Sequence, residues 1–189
     1  MNINNIEFIN IFTATTIVEL ICILFFRLTK SDFSGKAINN WYDNLRWSAI
    51  GLDILIVIIG FYVNIYLSKY LKINNYLLFL FLQLVLQIIH DILFYFIIKK
   101  SVKGNNIIMD EFKEYAKQIN IGAIIGDSWM YLMGIPILLH TLKFNKEILI
   151  LISLICLYII GYLVYQKPLY KYNSFKLEYL IPLLLNIKY

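Results

Sequence analysis

Apolar residues fall into five long runs along this chain, at 8–26, 47–67, 76–98, 121–142 and 148–165. Each is close to the roughly 20 residues that a helix needs to cross the hydrocarbon core of a bilayer. None alternates strictly between apolar and polar residues, as a barrel strand would. That leaves helices as the structure that satisfies its own backbone in lipid. The pattern predicts an all-α, polytopic transmembrane bundle of five spans within residues 1–166. Between the third and fourth runs the period changes. Ile108, Phe112, Tyr115 and Ile119 share one helical face, while Asp110, Glu111, Lys113, Glu114 and Lys117 lie mostly elsewhere around it. Asn105 and Asn106 stand where a cap is needed. This segment predicts an amphipathic interfacial helix over 107–119, read first as a connector into the fourth span and second as a gate or docking surface. The tail at 167–189 is rich in Tyr and Lys. Its last apolar stretch, 179–187, is too short to span and is broken by Pro182, so the tail is expected at the cytoplasmic membrane surface.

Four runs carry a carboxylate well inside them: Glu19, Asp53, Asp91 and Asp127. Counted from the nearer span end at about 1.5 Å per residue, each lies on the order of 10 Å from the same interface. His90 adds an imidazole at that level. The helical faces agree with the depths. Gln83, Gln87 and His90/Asp91 form one stripe on the third span. Asp53, Gly60 and Asn64 share a face of the second, and Thr15, Glu19 and Cys22 line up on the first. On the fourth, Gly122, Gly126, Met130 and Gly134 recur every four residues beside Asp127 and Ser128, and small residues at that spacing let helices approach closely. A lone charge at mid-membrane costs roughly 2.5–3.5 kcal/mol on insertion scales. Four unpaired carboxylates are therefore untenable, and a shared proton or bound cation is the natural occupant. The competing reading pairs Glu19 or Asp53 with Arg27 and Arg46 at the span ends, as structural ion pairs. Glu19, Asp53, His90, Asp91 and Asp127 are the candidate ion- or proton-binding residues. Gln83, Gln87, Asn64 and Ser128 are the candidate pathway lining, and Gly122, Gly126 and Gly134 the candidate packing positions.

Composition agrees with a membrane setting: 60% of residues are hydrophobic and the mean hydropathy is +0.70. The first run is preceded by Glu7 and by no Lys or Arg, and no small-residue cleavage pattern follows it. It is expected to stay as an anchor. Of the 17 basic residues, 13 fall on one side of an alternating five-span topology and 4 on the other. This places the N-terminus outside and the C-terminus in the cytoplasm, or in its viral or organellar equivalent. The net charge of +5 then reflects loops near anionic lipid, with no need for nucleic acid as a partner. Trp41, Trp47 and many Tyr residues near span ends read as interfacial anchors. Cys22 and Cys156 are isolated, with no C-x-x-C, and read as small apolar side chains.

Other chemistries fit less well. Gly126-Asp127-Ser128 has neither the G-x-S-x-G of a serine-type intramembrane protease, since residue 130 is Met, nor the G-x-G-D of an aspartyl type, since Ile124-Ile125 precede Gly126-Asp127 and the first glycine is missing. Asp53, His90, Asp91 and Asp127 are ligand types that a divalent metal accepts, but no span carries a H-x-x-x-H or E-x-x-H pair. His140 lies near the other end of its span. No retinal-type Lys sits mid-membrane, and no nucleophile or cofactor motif supports an enzyme.

The stretches Arg46-Trp47-Ser48-Ala49-Ile50-Gly51-Leu52-Asp53, Ile89-His90-Asp91-Ile92-Leu93-Phe94-Tyr95, Phe112-Lys113-Glu114-Tyr115-Ala116 and Gly126-Asp127-Ser128 resemble a group of small multi-pass membrane proteins of giant DNA viruses. The resemblance covers roughly residues 45–135, and heavy use of Ile, Asn, Lys and Tyr suits an AT-rich genome. It implies a viral origin and a host or virion membrane, and brings no activity with it. The leading expectation is a membrane protein that handles protons or cations, with no cofactor beyond a bound cation. The alternative is a non-catalytic structural component of a viral or virus-modified membrane. The lipid bilayer is the expected partner, and a homo-oligomer is compatible with the pattern because five spans are few to enclose a pore.

Overall fold

Asparagines set where three of the helices begin. The side chain of Asn75 accepts from Leu77 N at 2.7 Å and Leu78 N at 3.3 Å, Asn106 accepts from Ile108 N at 2.9 Å, and Asn145 from Ile148 N at 3.0 Å. Each satisfies donors that the first turn of a helix leaves unpaired. The structure, a computed structural model, describes residues 5–28, 35–119 and 122–168. Seven helices and no strands occur among them: α1 (Phe8–Leu28), α2 (Gly35–Leu45), α3 (Trp47–Tyr70), α4 (Tyr76–Lys100), α5 (Ile107–Ile119), α6 (Gly122–Thr141) and α7 (Lys146–Leu163). Five of them, α1, α3, α4, α6 and α7, are long and apolar enough to span a membrane.

These spans follow the apolar runs, with shifted ends. Helices α1, α3 and α4 continue two or three residues beyond the apolar limit, through residues such as Lys69 and Lys99, whose long stems let the charged head leave the lipid while the backbone stays helical. The last span starts earlier than expected because Asn145 caps it. Helix α5 occupies the residues expected of the interfacial helix, and Asn106 is its cap. The tail beyond residue 168 lies outside the described residues.

Helix α1 is the hub of the bundle, packing against α7, α6, α3 and α2, while α4 packs on α6 and α3. Its contacts with α7 are polar as well as apolar. Thr13 Oγ1 lies 2.8 Å from Ser153 Oγ and 3.2 Å from the Leu149 carbonyl, and near the far end Arg27 Nη2 donates to the Val164 carbonyl at 3.0 Å. Thr13 thus meets the first half of α7 and Arg27 the residue that ends it, the same order along both helices, so α1 and α7 run parallel, as the first and fifth of alternating spans must. Small hydroxyl residues at such a contact let helices approach while their own groups stay hydrogen-bonded.

Helix α2 was not anticipated in the sequence reading, which treated its residues as a loop. It joins α3 through Arg46 alone, whose φ of 50° is rare for a residue with a side chain. The α2 helix lies against α5, and the two close one end of the bundle. Trp41 and Phe112 approach to 4.5 Å between ring centroids, Phe112 meets Phe94 of α4 edge-on at 4.9 Å, and Asn44 donates to Glu111 at 2.9 Å. Helix α5 thus packs on α2 and α4 while it joins α4 to α6. Trp41, expected as an interfacial anchor, is buried, whereas Trp47 is half-exposed and suits that role.

Candidate functional site

Under the α2–α5 cap lies a cavity of about 830 Å³. Its walls come from α1, α2, α3, α4, α5 and α6 and are mostly apolar. Asp53, Gln87, His90, Asp91 and Asp127 break that surface, together with Cys22 and the phenols of Tyr42, Tyr115 and Tyr131. No Lys or Arg is among the described residues lining it.

Two pairs of carboxylates result. Asp91 and Asp127, on α4 and α6, are joined through Gln87, whose Nε2 donates to Asp91 Oδ1 at 2.6 Å and to Asp127 Oδ2 at 3.4 Å. His90 Nδ1 lies 3.1 Å from the same Asp91 oxygen, and its ring stacks on Phe94 at 5.6 Å. The other oxygen of Asp91 is buried and has no hydrogen-bond partner. Glu19 and Asp53, on α1 and α3, are instead held by α2. Tyr42 Oη donates to Glu19 Oε1 at 3.1 Å, and Trp41 Nε1 donates to Asp53 Oδ2 at 3.1 Å. Burial, with Glu19 and Asp53 nearby, pushes the Tyr42 phenol well above its ordinary value, so it remains a donor. Burial likewise pushes up the Tyr115 phenol on α5, with Asp127 the largest charge acting on it.

The ion pairs expected for Glu19 and Asp53 are not those observed. Arg27 is fully buried and pairs with Asp43 of α2 at 2.8 Å, donates to Asn39 at 2.8 Å and lies 5.5 Å from the Tyr42 ring. Arg46 sits 4.7 Å from the ring of Tyr165. The arginines thus fasten α2 and α3 to the ends of α1 and α7.

Several other expected positions lie elsewhere. Glu19 does not line the cavity; it stands behind Tyr42. Asn64, expected along a pathway, joins α3 to α4 by donating to the Phe79 carbonyl at 3.1 Å while accepting from Ser68 at 3.1 Å. Ser128 is likewise not among the lining residues. Gln83 is fully buried beside Gly60 and Tyr131, and neither atom of its amide has a partner. Of the three glycines expected at helix contacts, Gly134 is one: a Cβ there would stand 3.1 Å from Phe61 and 3.6 Å from Val18. Gly126 faces the open cavity, with nothing within 4 Å of its would-be Cβ, and Gly122 meets Ile119 at the α5–α6 turn. The tight contact missed in the sequence is at Gly60, where a Cβ would collide with the Tyr131 hydroxyl. Trp41 and Tyr42 were missed as site residues too. Their signal was present: Ile38, Trp41, Tyr42 and Leu45 repeat at i, i+3, i+4 and i+7, one amphipathic face.

Among the described residues, no three His, Cys, Asp or Glu side chains converge closely enough to hold a metal ion. Both cysteines are buried and free. No protein-family model, curated protein or solved structure matches the chain.

Proposed function

We propose that this multi-pass membrane protein handles protons, or a small cation, at the Asp91–Gln87–Asp127 bridge, with His90 as relay and Asp53 across the same cavity. The observation that carries this reading is the Gln87 amide shared by two carboxylates on different spans, at 2.6 and 3.4 Å. An amide cannot neutralise two carboxylates, and no Lys or Arg is among the described residues that line the cavity, so a proton or cation is the group that removes the cost of that charge in lipid. A proton fits better than a bare metal ion, because no set of three ligands converges among the described residues. The orientation expected from the basic residues, N-terminus outside, places the α2–α5 cap on the cytoplasmic side. A giant-virus membrane is the setting that the sequence resemblance suggests. The test is proton and cation flux in liposomes carrying the purified chain, wild type beside Asp127→Asn. Flux lost in a still-folded variant supports the reading; no flux in the wild type, over a range of pH and several cations, removes it.

A second reading has its own observation. Glu19 and Asp53 are both hydrogen-bonded by α2, an arrangement suited to locking helices in a structural component of the membrane. On that reading Glu19→Gln lowers thermal stability and no substitution changes flux.

A further inference from the structure

The cavity is larger than a proton or a small ion needs. Its volume of about 830 Å³ falls in the range of pockets that enclose a drug-sized organic molecule, and its apolar walls with a few polar groups are of that kind. Its edge gives the route. Ile21 and Phe25 of α1, and Ile125 and Trp129 of α6, line the cavity and are 40–59% exposed. The two pairs stand at matching heights on antiparallel spans, Ile21 seven residues before the end of α1 and Trp129 seven residues after the start of α6. The mouth therefore opens sideways between two spanning helices, toward hydrocarbon.

At the inner end the chemistry has one sign. Asp53, Asp91 and Asp127 line the cavity, and among the described residues no Lys or Arg lines it with them and one oxygen of Asp91 has no hydrogen-bond partner. The nearest buried cation, Arg27, is taken by Asp43, Asn39 and the Val164 carbonyl. Aromatic rings of Phe94, Phe112 and Tyr115 lie next to the acids and would accept a cation on their faces. We infer that this cavity binds a lipophilic amine, an apolar body carrying one protonated nitrogen, which enters from the bilayer between α1 and α6 and pairs its nitrogen with the carboxylates. This rests on the same acidic cavity as the proposed function but not on transport through it.

The experiment is equilibrium binding to the full chain in nanodiscs, with empty discs subtracted. The probe is a radiolabelled aryl-alkyl tertiary amine of drug size, beside its neutral isostere with carbon in place of nitrogen. The amine is expected to bind saturably at one per chain and the isostere roughly tenfold or more weakly, the fold-change typical of a lost charged hydrogen bond. Asp127→Asn and Asp53→Asn should each weaken the amine and leave the isostere unchanged. Gly126→Leu, which fills the cavity without touching a charge, should abolish amine binding while the chain keeps its thermal transition. Equal binding of amine and isostere, binding unaffected by Gly126→Leu, or no saturable component above empty discs would each overturn the inference. Amine binding without ion flux keeps it and removes the proton reading; flux without amine binding does the reverse.

Discussion

The indole N–H of Trp41 donates to the Oδ2 of Asp53 at 3.1 Å, and this bond ties α2 to a carboxylate on α3. Trp41 is almost wholly buried, and its ring also stacks near Phe112. A Trp41→Phe substitution keeps much of that apolar contact and leaves Asp53 without its donor. The expected cost is about 1–3 kcal/mol, the penalty of an unsatisfied buried polar group. Thermal unfolding in detergent reads it. Asp53→Asn keeps an acceptor oxygen for the indole and should cost less than Trp41→Phe; the opposite order would show that the indole bond does not hold α2 in place.

Arg27 holds three elements together, with Asp43 and Asn39 on α2 and the carbonyl of Val164 beyond α7. Arg27→Met removes a fully buried charge and leaves Asp43 without its ion pair to α1. Breaking one side of such a pair costs about 3–5 kcal/mol. Arg27→Lys should recover only part of this, because an ammonium cannot reproduce the fork that reaches Asn39, Asp43 and Val164 together. Denaturant titration of the purified chain in mild detergent separates the three forms, and a lysine variant as stable as wild type would contradict the geometry.

The glycines of α3 and α6 should respond differently to the same change. Gly60→Ala drives a methyl group into the Tyr131 hydroxyl and to within 2.9 Å of its ring, so that this almost fully buried side chain must shift. Overpacking of this sort costs about 1–3 kcal/mol. Gly126→Ala meets nothing and gains helix propensity, so it should be neutral or slightly stabilising. Pairing Gly60→Ala with Tyr131→Phe should restore part of the loss. The midpoints of thermal unfolding for the three variants decide the matter.

Outside the membrane, Glu114 on α5 accepts from Lys117 at 3.1 Å, with Lys103 at 3.7 Å, and these partners hold its carboxyl below the ordinary glutamate value. A depressed folded-state value means that the contribution is present above the unfolded value and disappears as pH falls through the folded one. The side chain is exposed, so salt should move it back toward the ordinary value. Carboxyl carbon-13 titration of Glu114 at low and high salt is the measurement. A midpoint at the ordinary value under low salt would contradict the pairing.

The spans were legible in the sequence because hydropathy and length belong to one segment at a time, and lipid leaves a helix as the only answer for such a run. Caps such as Asn106 were legible for the same reason: an N-cap needs only its own next turn. The common depth of Asp53, Asp91 and Asp127 also follows from counting along single helices, and those three do line one cavity. Helix α2 was within reach through the spacing of Ile38, Trp41, Tyr42 and Leu45, and was missed because hydropathy alone passes over a short segment with many polar residues.

What only the tertiary structure decided is how each helix is turned about its axis and which neighbour it meets. That rotation gives Glu19 to Tyr42 and Asp53 to Trp41, and leaves Asp91 and Asp127 to share Gln87. It makes Gly60 the seat of the Tyr131 hydroxyl and Gly126 a cavity wall, although both are glycines within apolar spans. A one-dimensional pattern contains depth and period, whereas partnership is set by packing among six helices at once, and no single segment carries that information.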